Sequence, residues 1–233
     1  MKNEMYSKYA REYDLAVQNN IYNAHLERPC LQAMLKELEG KNILDLGCGS
    51  GIYAKYLLDN GATVTSIDSS SDMIDLVIEK FGNQLKAYVQ DLSIGLPDEA
   101  SESFDIAICP LMVHYIEDLS RLFADIRRVL KEDGYFVFST HHPLVDFKLT
   151  KSGNYFRREY VSEQWNTIDK LVEVSFYRRS LTELFNYITN NGMFVSQLSE
   201  GKPSAEMKEI SPKHYEQLSK KPNFIFIKCQ KFT

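Results

Sequence analysis

The stretch ILDLGCGSGIYAKYL, residues 43–57, constrains the fold more than any other part of this chain. Ile43, Leu44 and Leu46 form an apolar run too short for a helix, which reads as a buried strand. Asp45 interrupts the run with a carboxylate just before the chain turns. Gly47, Gly49 and Gly51 then follow at every second position. Glycine tolerates positive φ and lets a ligand approach bare backbone. From Ile52 the spacing turns helical and predicts Ile52, Tyr56 and Leu57 on the inner face, with Lys55 and Asp59 outside. A glycine turn that opens a helix presents N–H donors and a positive dipole end to a polar ligand.

The spacing separates the ligand classes that use such a turn. A phosphate loop ends in Gly-Lys-Ser/Thr, and no lysine stands here. The dinucleotide fingerprint is G-x-G-x-x-G, whereas the third glycine comes one residue early in this chain. A nicotinamide dehydrogenase is therefore the weakest reading. The run D-L-G-C-G-S-G resembles motif I of the class I S-adenosylmethionine-dependent methyltransferases.

Downstream, the pattern repeats. Residues 62–67 read as a second strand closed by Asp68, about twenty residues past the glycines. Ser69, Ser70, Ser71 and Asp72 supply caps for a helix with Met73, Ile74, Val77 and Ile78 inward. Residues 85–89 form a third strand ended by Gln90-Asp91-Leu92, and 104–109 a fourth ended by Cys109-Pro110. A helix over 119–130 leads into a fifth strand, with Asp133-Gly134 as a turn. Strand–helix repeats whose strands end in small, acidic or proline residues specify a doubly wound parallel sheet, and ligands bind at those carboxyl ends. Ahead of this core, 3–17 and 23–38 are predicted helices, the second stopped by Gly40.

Residues 144–178 mix aromatic and charged side chains, with strand-like alternation at 172–177, and read as a hairpin lid. A helix over 181–190, a sixth strand M-F-V-S-Q-L and a last strand 223–229 follow. Between these two strands, 202–221 reads as a polar surface loop with a short helix. The expected whole is one α/β domain over 1–233. It has a Rossmann-like seven-stranded sheet, helices on both faces and an insertion after strand five. An N-terminal helical cap (1–39), a core (40–143 and 180–233) and a lid (144–179) divide it.

The resemblance implies more. It implies a last strand that runs antiparallel beside the sixth. It implies S-adenosyl-L-methionine as methyl donor, S-adenosyl-L-homocysteine as product, and transfer to an oxygen or nitrogen of a small-molecule acceptor. It implies a cofactor site built from Asp45, Gly47, Cys48, Gly49, Gly51, Asp68, Ser69, Met73, Gln90, Asp91, Leu92, Cys109 and Pro110. Asp68 would accept from the ribose hydroxyls and Asp91 from the adenine amino group; both residues also suit plain turn capping. Tyr13 and Tyr22 are candidates for a cap over the pocket, although Tyr6, Tyr9 and Tyr13 also suit helix packing. Cys48 is a small loop residue here, without a catalytic role.

For the chemistry, a general base helps an alcohol or phenol acceptor. His114, past the fourth strand, and His142, in S-T-H-H-P past the fifth, are the candidate bases, since imidazole titrates near neutrality. Tyr115, Trp165, Tyr177 and Arg178 are candidate acceptor contacts, and Arg178 or Arg179 would clamp a carboxylate bidentately. Residues 109–112 are C-P-L-M rather than the (N/D)-P-P-(Y/F) of amino-methyltransferases acting on DNA or glutamine, which disfavours that chemistry.

Composition bounds the partners. With 233 residues and a net charge of −5, the chain carries no basic footprint for nucleic acid. No apolar run spans a bilayer, and the opening MKNEMYSKYAREYD lacks a signal-peptide core. The four scattered cysteines form no C-x-x-C pair, so reduced thiols, a cytoplasmic setting and no metal site are expected, as a monomer or homodimer. Methylation of tRNA or a peptide, and cofactor binding without transfer, are the competing readings.

Overall fold

The computed structural model describes residues 3–232. Seven strands form one sheet in the order β3-β2-β1-β4-β5-β9-β8. They are β1 (Asn42–Leu46), β2 (Thr63–Asp68), β3 (Lys86–Val89), β4 (Phe104–Cys109), β5 (Leu130–His141), β8 (Met193–Ser199) and β9 (Phe224–Lys231). The first five run parallel, and β9 pairs antiparallel with both β5 and β8. This is the Rossmann-like arrangement with an antiparallel last strand that the sequence leads one to expect.

Both faces are buried because the central strands are apolar at successive positions, which a pleated strand sends to opposite sides. Leu44, Ala107, Phe136 and Phe138 face one apolar layer, where Phe123 and Ile126 of α5 (Ser120–Val129) and Ile188 of α7 (Leu181–Thr189) pack. Ile43, Ile106, Ile108 and Val137 face the other, against Leu31 of α2 (Arg28–Gln32) and Tyr53, Ala54 and Leu57 of α3 (Ile52–Asp59). The inner face of α3 is thus Tyr53, Ala54 and Leu57 rather than the expected Ile52 and Tyr56. In α4 (Ser71–Phe81), Leu76 is buried beside Met73, Ile74 and Val77, while Ile78 is 51% exposed.

The N-terminal region departs most from expectation. A 3₁₀ turn over Glu4–Tyr6 precedes α1 (Ala10–Val17). The second predicted helix breaks into a π-helical turn, Asn23–Glu27, followed by the short α2. At Asp133-Gly134 the chain bulges within β5: Leu130 pairs with Phe104 and Tyr135 with Ile106, so the strand takes up extra residues between them. Residues 202–221 carry two helices, α8 (Ala205–Ile210) and α9 (Pro212–Lys220).

After β5 comes a short helix α6 (Pro143–Asp146), then the antiparallel pair β6 (Glu159–Trp165) and β7 (Val172–Arg178) as a separate two-stranded sheet. The apolar side of this hairpin, Val161, Val174 and Phe176, packs on Met5 with Tyr6, Tyr9, Tyr13 and Tyr115 at its margin. Asn3 ties the N-terminal turn to the hairpin: Ser175 N–H donates to its Oδ1 at 3.2 Å. The hairpin and the N-terminal turn together stand over the carboxyl ends of β1 to β4.

Candidate active site

A cavity of about 570 Å³ opens at those carboxyl ends, within the range of small-molecule sites. Its floor is the glycine loop. Gly47 and Cys48 N–H donate to the Ile67 carbonyl at 2.8 and 3.1 Å, pinning the loop to β2. Gly47 and Gly49 both have positive φ, 69° and 53°. A Cβ on Gly47 would lie 2.3 Å from Met112 Cγ, whereas one on Gly49 would meet nothing within 4 Å. Gly47 is therefore required by the protein's own packing, and Gly49 leaves a bare cradle on the cavity side.

Two aspartates flank the loop. Asp68 Oδ2 accepts from Gly49 N–H and Oδ1 from Ser70 N–H, each at 2.9 Å. Asp45 is fully buried, and neither of its oxygens has a partner among the described residues. Burial first, and the nearby Asp68 second, push its pKa up to about 8. An unpaired buried carboxylate is costly, so this wall of the cavity calls for a cationic or N–H donor. Asp91 caps the turn after β3, accepting from Ser93 N–H at 2.8 Å.

Twelve of the candidates read from the sequence line this cavity: Tyr13, Asp45, Gly47, Cys48, Gly49, Asp68, Ser69, Asp91, Leu92, Pro110, Tyr115 and Tyr177. Others lie outside its lining. Gly51 caps α3, Met73 is buried against Ala10, Leu76, Tyr6 and Tyr13, and Cys109 is buried in the core. Gln90 turns inward and donates to the Gly95 carbonyl at 2.6 Å. Tyr22 is 38% exposed and packs edge-on to His214, so it caps nothing.

Neither histidine candidate reaches the cavity lining. His142 accepts Leu144 N–H on Nδ1, which leaves Nε2 to donate to Glu200 at 2.8 Å. It is the N-cap of α6. His114 is stacked on His141 with ring centroids 4.2 Å apart, and its Nδ1 lies 3.1 Å from Thr140 Oγ1. Burial, then His141 and Arg179, hold its pKa well below the ordinary imidazole range. Trp165 packs on His141 and Phe176. The arginines are consumed by the backbone: Arg178 donates to the Arg157 and Tyr155 carbonyls at 2.6 and 2.7 Å, and Arg179 to those of Ile116 and Glu117. Both are structural ties, so the expected carboxylate clamp is absent from them.

The sequence reading missed several wall residues: Tyr6, Glu27, Arg28, Tyr53, Met112 and Glu117. Tyr6 and Tyr115 share a hydrogen bond between their hydroxyls at 2.7 Å, across 109 positions of chain. Glu27 is buried, with Tyr53 and Ser139 hydroxyls donating to it at 2.9 and 2.6 Å. Only an acidic residue within an otherwise packed helix, at E-R-P, hinted at it.

A family profile described as a methyltransferase domain matches residues 44–138, which hold β1 through most of β5. An uncharacterized protein of Haemophilus influenzae is 26% identical over 90% of this chain and 88% of its own length. The ubiquinone biosynthesis O-methyltransferase of Coxiella burnetii is 32% identical over 44% of each chain, so the present chain spans less than half of that relative. The crystal structure of an S-adenosylmethionine-dependent methyltransferase from Mesorhizobium loti superposes with a TM-score of 0.70 at 27% identity, covering 88% of this chain and 97% of that one. Sheet order, domain profile and solved relative agree: residues 44–138 carry a methyltransferase domain, the fold is that of the class I S-adenosylmethionine-dependent methyltransferases, and the cofactor is S-adenosyl-L-methionine.

Proposed function

We propose that this protein transfers the methyl group to an oxygen or nitrogen of a small-molecule acceptor bound under the hairpin. The donor's requirements suit the cavity floor. The unpartnered Asp45 carboxylate suits an ammonium group, and the bare Gly49 cradle accepts close approach of a ligand backbone. Asp68 and Ser69 would hold the ribose, and Asp91 with Leu92 the adenine, while Tyr13 and Pro110 close the sides. When bound, the donor supplies an electrophilic methyl on a sulfonium, itself a good leaving group. The chain's own work is to position the acceptor, exclude water and take a proton where the acceptor must lose one.

The observation that carries the small-molecule reading is the charge of the wall. Among the described residues, five carboxyl groups (Glu27, Asp45, Asp68, Asp91, Glu117) line the cavity against one guanidinium, Arg28. A polyanion such as tRNA needs the opposite sign. The upper wall is instead phenolic and apolar: Tyr6, Tyr115, Tyr177, Met112 and Ile116. That the Coxiella relative is named an O-methyltransferase of ubiquinone biosynthesis supports a hydroxyl acceptor.

The test has two steps. Calorimetry with S-adenosylmethionine, S-adenosylhomocysteine and NAD is expected to show binding of the first two and none of NAD. A radiolabelled methyl assay over a panel of phenols, catechols and amines, with bulk tRNA alongside, is expected to label small compounds only. Label on tRNA alone would reverse the acceptor class; binding without transfer to anything would leave a cofactor-binding protein.

A further inference from the structure

We propose that Glu27 is the general base of the reaction, a role that rests on the acceptor being a small hydroxyl or protonated nitrogen compound. None of the five histidines of the chain lines the cavity. Of its five carboxylates, Asp45, Asp68 and Asp91 belong with the donor, and Glu117 is exposed at the mouth with Tyr177 donating to it. Glu27 is the remaining one, and it is buried.

Its setting is built rather than incidental. Glu27 ends the π-helical turn Asn23–Glu27, a costly backbone form that concentrates at functional sites. Tyr53 of α3 donates to Oε2 and Ser139 of β5 to Oε1. Ser139 Oγ in turn accepts Leu111 N–H at 3.0 Å, and Leu111 has a positive φ of 48°. The carboxylate is thereby locked to the Pro110–Leu111–Met112 loop that forms part of the cavity wall. Two donors occupy two of about four lone-pair directions, so the group keeps acceptor capacity for a substrate proton.

Burial raises the Glu27 pKa to about 7, against the opposing pull of Ser139, Tyr53 and Arg28. Other titratable groups in its field are Tyr13 on α1 and Cys30 on α2, with Asp45 on β1 acting on the shared partner Tyr53. A base poised near the working pH takes a proton most effectively. In the step, an acceptor oxygen uses a lone pair to bond the methyl carbon and gives its proton to Glu27. The electron pair of the broken carbon–sulfur bond stays on sulfur. Carboxylate and sulfonium charges cancel, and the neutral carboxyl later returns its proton to water.

Two measurements test this on the full chain saturated with S-adenosylhomocysteine or S-adenosylmethionine. The infrared difference between wild type and Glu27→Gln, followed with pH, should show a protonated-carboxyl band that vanishes as pH rises through about 7. A Glu27 band that is already ionised at pH 5 overturns the proposal without any acceptor. In the methyl assay, Glu27→Gln should lower kcat by about 10²–10⁴-fold, leave S-adenosylhomocysteine affinity within twofold, and remove the alkaline rise of kcat. Wild-type kcat in a folded Glu27→Gln enzyme overturns the role alone, whereas absence of transfer to any small hydroxyl or nitrogen compound by wild type overturns the acceptor reading and this role with it. Ser139→Ala, which removes only one donor, should shift the infrared midpoint upward, because the charged form loses a hydrogen bond. An unmoved midpoint would also count against it.

Discussion

Asp68 and His142 show how a single side chain's partners decide its role. Asp68 spends one lone pair on Gly49 N–H and one on Ser70 N–H, so it shapes the loop as well as facing the cavity. Asp68→Ala should weaken S-adenosylmethionine binding by about 1–3 kcal/mol, the range for a lost hydrogen bond to a charged group. Calorimetry showing unchanged affinity would remove Asp68 from the donor site. His142, read from the sequence as a base, instead caps α6 and donates to Glu200. His142→Ala should therefore cost about 0.5–2 kcal/mol of stability, as a lost cap does, and leave kcat for any active acceptor unchanged. A slowed reaction in a fully folded variant would restore the histidine to the chemistry.

At the scale of elements, the hairpin β6–β7 is held by a side chain that the sequence suggested for substrate. Arg178 is fully buried and donates to carbonyls of residues 154, 155 and 157 as well as to Glu159. Arg178→Met fills similar space but leaves those carbonyls without their donor, at about 1–3 kcal/mol for each one that stays buried and unpaired. Limited proteolysis should cut the variant within residues 150–178 first, while S-adenosylhomocysteine affinity holds. Cleavage elsewhere at the wild-type rate would mean that Arg178 does not secure the hairpin. Arg179 does the same for the turn before α5, through the Ile116 and Glu117 carbonyls. An arginine pair thus reads as a binding site in sequence and as two internal braces in space.

For the whole molecule, two buried carboxyls weaken the fold as pH rises, while buried His114, held below the ordinary imidazole range, weakens it as pH falls. Burial raises Glu27 to about 7, and burial with the field of Asp68 raises Asp45 to about 8. Unfolded, both titrate near 4. Because their folded pKa values lie above the unfolded ones, the stability they confer is complete below about pH 4 and drains away as pH rises through about 7 and 8. The cofactor-free protein should melt at lower temperature at pH 9 than at pH 6, with each kcal/mol costing about 2–4 °C for a chain of this size. Asp45→Asn should flatten that slope. A melting temperature that climbs from pH 6 to 9 would contradict both assignments.

What the sequence alone determined is what local chemistry can write. Short apolar strands ending in Asp45, Asp68, Asp91 and Pro110 specified a parallel sheet with its ligand edge, and glycines at alternate positions specified the turn. Those cues sit within a few residues of each other, so reading them needs no long-range contact. Tertiary structure decided the rest. That no histidine lines the cavity, that Arg178 and Arg179 are spent on carbonyls and that Glu27 is buried all depend on partners distant in sequence, 21 positions for Arg178 with Arg157 and 112 for Glu27 with Ser139. The π-helical turn that carries Glu27 into the cavity wall is likewise invisible to helical periodicity, because packing against α3 and β5, rather than propensity, holds it.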